Sequence, residues 1–371
     1  MFSFEILHQS KKSRARVGRI TTPHGVIDTP GFVPVGTNAA IKAVDSKTVE
    51  ELDVQLMFAN TYHLLLHPGP DVVEQAGGLH QFMNRKRPII TDSGGFQVFS
   101  LAYGGVASEL KSQGKKKYQG AIKRLDEDGV TFRSYRDGQL HTLTPESSVQ
   151  IQQALGADII LPLDELLPYH VSERELKKSF NRTHRWEQRS WDEHEKNTQQ
   201  QAMYAIVHGG IDHELRKESA RTLAQTPFDG FAIGGSLGKS RSEMVDMLTA
   251  LMPHIPPEKP NHLLGIGDTP SIDACIPLGI DTFDSSYPTK AARHGVLFTW
   301  NGSIRIKSSK WKYVFEPISD APVCKEYSAA YLHHLFKAHE PTMHTLATIH
   351  NLHFMMEYMK HYRTLIMQDK I

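Results

Sequence analysis

Three observations predict an α/β protein built as a (β/α)8, or TIM, barrel. Eight short runs, 31–35, 55–59, 88–91, 158–163, 203–207, 230–233, 262–265 and 280–283, are almost continuously apolar, as strands buried on both faces are. Each stops at a polar residue or a glycine, as at Asn60-Thr61, Asp92-Ser93, Asp164-Glu165, His208-Gly209-Gly210 and Asp284-Ser285. Helical patterns with legible starts lie between most of them. Strand, loop and helix repeated eight times is the grammar of a closed parallel barrel, whose chemistry sits at the C-terminal ends of the strands. An open doubly wound sheet is the alternative, since alternation alone does not establish closure.

In chain order, residues 20–34 read as a β-hairpin turning at Gly25, a lid for one end of the barrel. Residues 101–124, rich in Gly, Lys, Ser and Gln, fit neither strand nor helix and read as an insertion after the third strand. Thr144 is an N-cap with Pro145 in the first turn, and Ser172 with Glu175 and Ser240 with Glu243 have capping-box spacing. The barrel domain, with its hairpin and insertion, is expected over residues 1–300. A C-terminal helical subdomain over 301–371 holds a β-like segment at 302–306 and helices over 327–336 and 345–359.

Composition excludes a strongly basic nucleic-acid binder: 42 Lys and Arg balance 41 Asp and Glu in 371 residues. Basic character is local, in Lys111 to Lys117 and in Arg305, Lys307, Lys310 and Lys312, and each cluster reads either as an RNA contact or as a solvated surface. The two cysteines, Cys275 and Cys324, make no disulfide scaffold, which suits a reducing compartment. No run is long enough to span a membrane and no signal segment opens the chain, so a cytoplasmic protein with no membrane partner is expected.

The last apolar run closes on Asp284, Pro288 ends the strand, and Lys290, Arg293 and His294 follow. A carboxylate beside cations suits chemistry on a nucleotide, and equally suits a salt-bridged loop. Asp92 leads into Ser93, Gly94 and Gly95, where bare backbone can lie against a flat ligand. Asp164 is placed to accept from an N–H edge, and Gly209-Gly210 and Gly234-Gly235 offer more bare backbone. Three carboxylates and three glycine pairs at strand ends outline a pocket for a planar base.

The stretch from Thr91 to Ser100, Gly230-Phe231-Ala232-Ile233-Gly234-Gly235 and Phe283-Asp284-Ser285-Ser286-Tyr287-Pro288-Thr289-Lys290 closely resembles the queuine tRNA-ribosyltransferases, or tRNA-guanine transglycosylases. The resemblance runs nearly end to end through Ala59-Asn60-Thr61-Tyr62-His63-Leu64, Leu143-Thr144-Pro145-Glu146, Tyr327 to Leu335 and His350-Asn351-Leu352. It implies exchange of the wobble guanine in GUN anticodons for a 7-deazaguanine base, 7-aminomethyl-7-deazaguanine or queuine, with tRNA as partner and a homodimer as the assembly. It also implies Asp284 as the nucleophile that forms a covalent ribosyl-enzyme and Asp92 as the general acid/base. Ser93, Gly94, Gly95, Phe96, Asp164, His208 and Gly235 then surround the base, with Phe96 stacked on it. The anticodon readers would be Gly265, Ile266, Gly267, Asp268, Thr269, Pro270 and Ser271, with Thr289, Lys290, Ala291, Ala292 and Arg293.

The sequence departs from the family at four places. The zinc pattern C-x-C-x-x-C with a distant histidine reads Ser319, Ala321, Cys324 and His350, so Cys324 and His350 are remnants and no zinc is expected. Asp320 or His353 could stand in as ligands. His208 replaces the glutamine of V-Q-G-G, and Lys290 an arginine. The loop Gly234-Gly235-Ser236-Leu237-Gly238-Lys239 is one residue shorter than the family's G-G-L-x-V-G-E and lacks its glutamate, which favours queuine as the incoming base. Both aspartates are present, which favours an enzyme over a non-catalytic partner subunit that would bind RNA without chemistry. A glycosidase acting on free nucleosides would leave Thr289 to Arg293 without a role.

Overall fold

A computed structural model of the protein describes residues 2–103, 120–197, 201–321 and 324–371, without the side chains of Tyr103 and Cys324. The insertion's Lys111 to Lys117 run therefore lies outside the described residues. Eight parallel strands form the centre: β4 (Gly31–Pro34), β5 (Met57–Ala59), β6 (Ile89–Thr91), β10 (Ile159–Ile160), β11 (Ala202–Val207), β12 (Gly230–Ile233), β13 (Asn261–Leu263) and β14 (Thr282–Ser285). Their order is β4-β14-β13-β12-β11-β10-β6-β5, and a parallel bridge from Val35 to Phe58 joins the two ends. The sheet is thus a barrel, and each strand falls on one of the eight apolar runs. Ile90, Ile159, Tyr204, Ile206 and Ala232 fill its interior.

The fourth strand is shorter than its apolar run because neighbouring helices take over its pairing. The Gln152 amide binds the Leu161 N–H at 3.0 Å and the Leu161 carbonyl at 2.8 Å, and Glu187 accepts from Ile206 N at 3.1 Å. These side chains satisfy backbone groups that an extended ladder would otherwise pair.

The expected hairpin is present as β2 (Arg16–Thr22) and β3 (Gly25–Thr29), and it carries a third antiparallel strand, β1 (Ser3–Gln9). Ile20 and Ile27 enter the barrel interior, and the sheet covers the barrel's N-terminal end, opposite the strand ends that carry Asp92 and Asp284. Arg16 reaches Asp281 just before β14, and His24 reaches Asp158 just before β10.

A second antiparallel sheet has no counterpart in the sequence pattern. Strands β7 (Ile122–Leu125), β8 (Val130–Arg133) and β9 (Leu140–Leu143) follow β6 and pack Val130, Phe132 and Leu143 against Tyr62, Phe99 and Trp186. Residues 122–124 of the expected loop are therefore strand. Thr144 and Ser172 cap their helices through complete boxes. At Ser240 the box is half made: Ser240 accepts from Glu243 N, while the Glu243 carboxylate takes Lys239 N at 2.7 Å and the Tyr169 hydroxyl at 2.8 Å.

After the barrel come the hairpin β15 (Val296–Thr299) and β16 (Gly302–Arg305) and the helices Ala329–Lys337 and Pro341–Met367. The final helix runs past its sequence pattern at both ends, and these added turns bury Met343 and Ile366. Its buried Asn351 accepts from Phe298 N at 3.0 Å and donates to the carbonyls of Pro288 at 2.9 Å and Val296 at 3.0 Å.

Candidate active site

The C-terminal ends of β6, β10, β11, β12, β13 and β14 bring Asp92, Asp164, His208, Gly235, Gly265 and Asp284 to one rim of the barrel. Asp92 is almost fully buried and ringed by neutral donors. One oxygen accepts from Asn60 Nδ2 and Gln97 Nε2, each at 2.7 Å, and the other from Thr61 N at 2.8 Å and Gly94 N at 3.2 Å. Burial pushes its carboxyl above the ordinary range despite these four hydrogen bonds. A carboxyl so raised is suited to give up and take back a proton.

Asp284 is equally buried but differently held. Its Oδ1 accepts from Gly265 N at 2.9 Å and lies 3.1 Å from His262 Nε2, while among the described residues Oδ2 receives no hydrogen bond. A carboxylate with one oxygen anchored and one bare is arranged for attack on an electrophilic carbon.

Asp164 follows β10 and lies beside Ser93 and His208. Its Oδ1 is 3.4 Å from Ser93 Oγ and its Oδ2 is 3.3 Å from His208 Nε2, which is out of hydrogen-bond alignment. A side chain at Gly95 would stand 2.8 Å from the Asp164 carbonyl, so only glycine allows this approach. Phe96 lies in the first turn of the following helix, Gly95–Tyr103, and is 45 % exposed, with no ring partner among the described residues. Under the rim lies Arg216, wholly buried, with its guanidinium pushed down to about 9 by burial. It donates to the carbonyls of Val207 at 2.6 Å, Gly210 at 2.8 Å and Ser236 at 3.0 Å, and so ties together the two glycine loops. A cavity of about 160 Å³ opens beside His208, Gly235 and Ser236, walled by Glu165, Tyr169 and Leu176.

The two expected RNA-reading segments meet this rim. Asp268 caps the helix Thr269–Cys275 through Ser271 N and is bridged by Arg241 at 3.1 Å. Gly265 and Pro270 are exposed, Ile266, Asp268 and Thr269 half-buried, and Gly267 and Ser271 buried. In the helix Tyr287–Arg293, Thr289, Ala291 and Ala292 face inward, Lys290 faces solvent, and Arg293 is half-buried with its guanidinium bonded to the Thr289 carbonyl at 2.9 Å. Four residues that support this arrangement are not singled out as site residues by the sequence: Asn60, Gln97, His262 and Arg216. Of these, His262 leaves a signal as a polar residue within a buried strand, and Asn60 as the polar stop of another.

A family model described as queuine tRNA-ribosyltransferase matches residues 10–371. The chain belongs to this family. The queuine tRNA-ribosyltransferase of Protochlamydia amoebophila is 60 % identical over 373 residues, covering 100 % of this chain and 96 % of its own length. Those of Chlamydia caviae and Chlamydia trachomatis serovar A are 54 % and 53 % identical, with 99 % of both chains covered in each case. A queuine tRNA-ribosyltransferase is a pentosyltransferase, and this chain is an enzyme of that class.

The zinc that the family implies does not suit the donors found here. His350 uses both ring nitrogens inside the protein, Nδ1 with Ser319 Oγ at 3.1 Å and Nε2 with the Phe298 carbonyl at 2.8 Å. Ala321 is buried and offers no ligand atom, and the Cys324 side chain lies outside the described residues. Among the described residues one other group has metal-binding composition, His24, His80 and Asp158 at the opposite end of the barrel. Its imidazoles stack 3.5 Å apart and 13° from parallel, each facing a different carboxylate oxygen, so their lone pairs do not converge on one point.

Proposed function

We propose that this enzyme exchanges the wobble guanine of GUN-anticodon tRNAs for a 7-deazaguanine base through a covalent ribosyl-enzyme intermediate. The observation that carries the reading is the unlike pair of buried carboxylates, Asp284 with a bare oxygen and Asp92 raised by burial. Asp284 Oδ2 attacks C1′ of the ribose as the glycosidic bond to guanine breaks, and Asp92 protonates the departing base. The incoming base then gives its proton to Asp92 and displaces Asp284 from C1′, which restores both carboxylates. This is the two-step logic of a retaining glycosidase. Asp164, His208 and the Gly235 backbone take the polar edge of the base and Phe96 its face. Lys290, Arg293 and the segment from Gly265 to Ser271 hold the flanking nucleotides, with the target base drawn from its stack.

Queuine is the base we assign to the incoming position. The cavity beside Ser236 offers room past the seven-position, and the shortened loop lacks the family's glutamate. No zinc is assigned to the protein. Labelled guanine incubated with enzyme and tRNA is expected to enter the tRNA, and to do so no longer in Asp284→Ala; no incorporation by the wild type would favour a partner-subunit role. Parallel exchange assays decide the base: use of the aminomethyl compound without queuine overturns that assignment.

A further inference from the structure

We propose that His262 is a positioning residue for Asp284, held in the required tautomer by Thr282. The inference rests on the reading of Asp284 as the nucleophile.

His262 is the middle residue of β13 and is wholly buried, with one ring face near the Phe58 ring, whose centroid lies 6.1 Å away. Nε2 points along the rim to Asp284 Oδ1 at 3.1 Å, and Nδ1 lies 2.8 Å from Thr282 Oγ1. A neutral imidazole has one donor and one acceptor nitrogen. The tautomer with hydrogen on Nδ1 would aim the Nε2 lone pair at a carboxylate oxygen, which is repulsive. The tautomer with hydrogen on Nε2 donates to Asp284 and accepts the Thr282 hydroxyl proton at Nδ1. The single hydroxyl hydrogen of Thr282 could instead go to the Asn261 carbonyl at 3.2 Å, and the proposal gives it to the nearer Nδ1. The donation therefore runs from Thr282 to His262 to Asp284.

Two N–H groups, from His262 and Gly265, then converge on the same oxygen. They fix the carboxylate rotamer and leave Oδ2 as the oxygen that faces C1′. Both donors act on Asp284 rather than on the substrate, so removing His262 affects how often Oδ2 is in line for attack and not how tightly tRNA is bound. Misplacement of a reacting atom by about 1 Å costs on the order of 100-fold in rate.

The test compares His262→Phe, His262→Gln and Thr282→Val with wild type and Asp284→Ala in guanine exchange. Each fold is first checked by circular dichroism and thermal melting. His262→Phe is expected to lower kcat about 10–100-fold with KM for tRNA within about 3-fold, and to slow formation of the tRNA-linked enzyme on quenched denaturing gels. His262→Gln, which keeps an N–H donor, recovers part of the rate, and the isosteric Thr282→Val gives a smaller loss in the same direction. Wild-type kcat in folded His262→Phe, or a loss carried entirely by KM, overturns the proposal. Should His262→Phe fail to fold, unchanged kcat in Thr282→Val overturns the relay. Activity retained in Asp284→Ala overturns the nucleophile reading instead, so the two failures are distinct.

Discussion

Buried aspartates stand at both ends of the barrel, and the two ends hold them with different partners. At the N-terminal end Asp281 is gripped by Arg16 through Nε at 2.9 Å and Nη2 at 2.6 Å, and its Oδ2 also takes Asn261 N at 2.8 Å. Asp158 has His24 on one oxygen, and Ile89 N and His80 on the other. At the C-terminal end Asp92 is met by amides and backbone N–H groups, and among the described residues Asp284 keeps one oxygen bare. The electrostatic outcome is opposite at Asp158 and Asp92, while burial raises Asp281 even against its bonds to Arg16. Burial pushes Asp158 up, but its hydrogen bonds to His24 and Ile89 and the nearby His80 ring outweigh this and hold it well below the usual carboxylate range, whereas burial prevails at Asp92. A carboxylate locked to cations is structural, and one satisfied by neutral groups stays available for proton transfer and attack.

Substitutions at the two ends should therefore fail in different ways. Asp92→Ala is expected to cut the exchange rate about 10²–10⁴-fold with little change in melting temperature, measured by label incorporation and calorimetry. A melting point lowered by many degrees would place Asp92 with the structural set. Asp281→Ala strands the Arg16 charge in the interior and should cost about 3–5 kcal/mol in urea unfolding, while the folded fraction keeps its turnover. A loss below about 1 kcal/mol would remove the distinction between the two ends.

A smaller effect belongs to His24, whose imidazole is raised from 6.5 by its hydrogen bond to Asp158. A raised histidine stabilises the fold fully below its unfolded value and loses that contribution as pH climbs through the folded value. The stability gap between wild type and His24→Gln should be widest near pH 6 and close toward pH 9. It should stay under about 1 kcal/mol because much of the ring is solvated. Least of all is expected from chelation: prolonged treatment with EDTA should leave melting temperature and rate unchanged. A drop would direct attention to metal at His24, His80 and Asp158, or at a site completed by Cys324.

The eight barrel strands were legible because both faces of each are buried, so their runs are apolar throughout. Strands β7 to β9 are not, since Val130–Arg133 buries one side only, Ile122–Leu125 buries neither side fully, and each strand is four residues long. Strand β1 is mostly exposed and carries no alternation to read. Asp92 and Asp284 could be picked out as carboxylates at strand ends. Their supporting donors are not, because Asn60 is 32 residues from Asp92 and His262 is 22 from Asp284, and only the pairing of β5 with β6 and of β13 with β14 makes them neighbours. Nor could sequence tell that Thr289, Ala291 and Ala292 turn inward while Lys290 turns out, since a seven-residue helix has too few turns to display a face.

Asn351 gives the C-terminal helix a part in the order of assembly. The turn after Asp284 is secured by an amide that lies 63 residues beyond Pro288 in the chain. A ribosome will have released every strand of the barrel before that amide emerges. The nascent enzyme should then reach full activity only when its final helix docks, so that unfinished chains already carrying both carboxylates remain poor catalysts on tRNA.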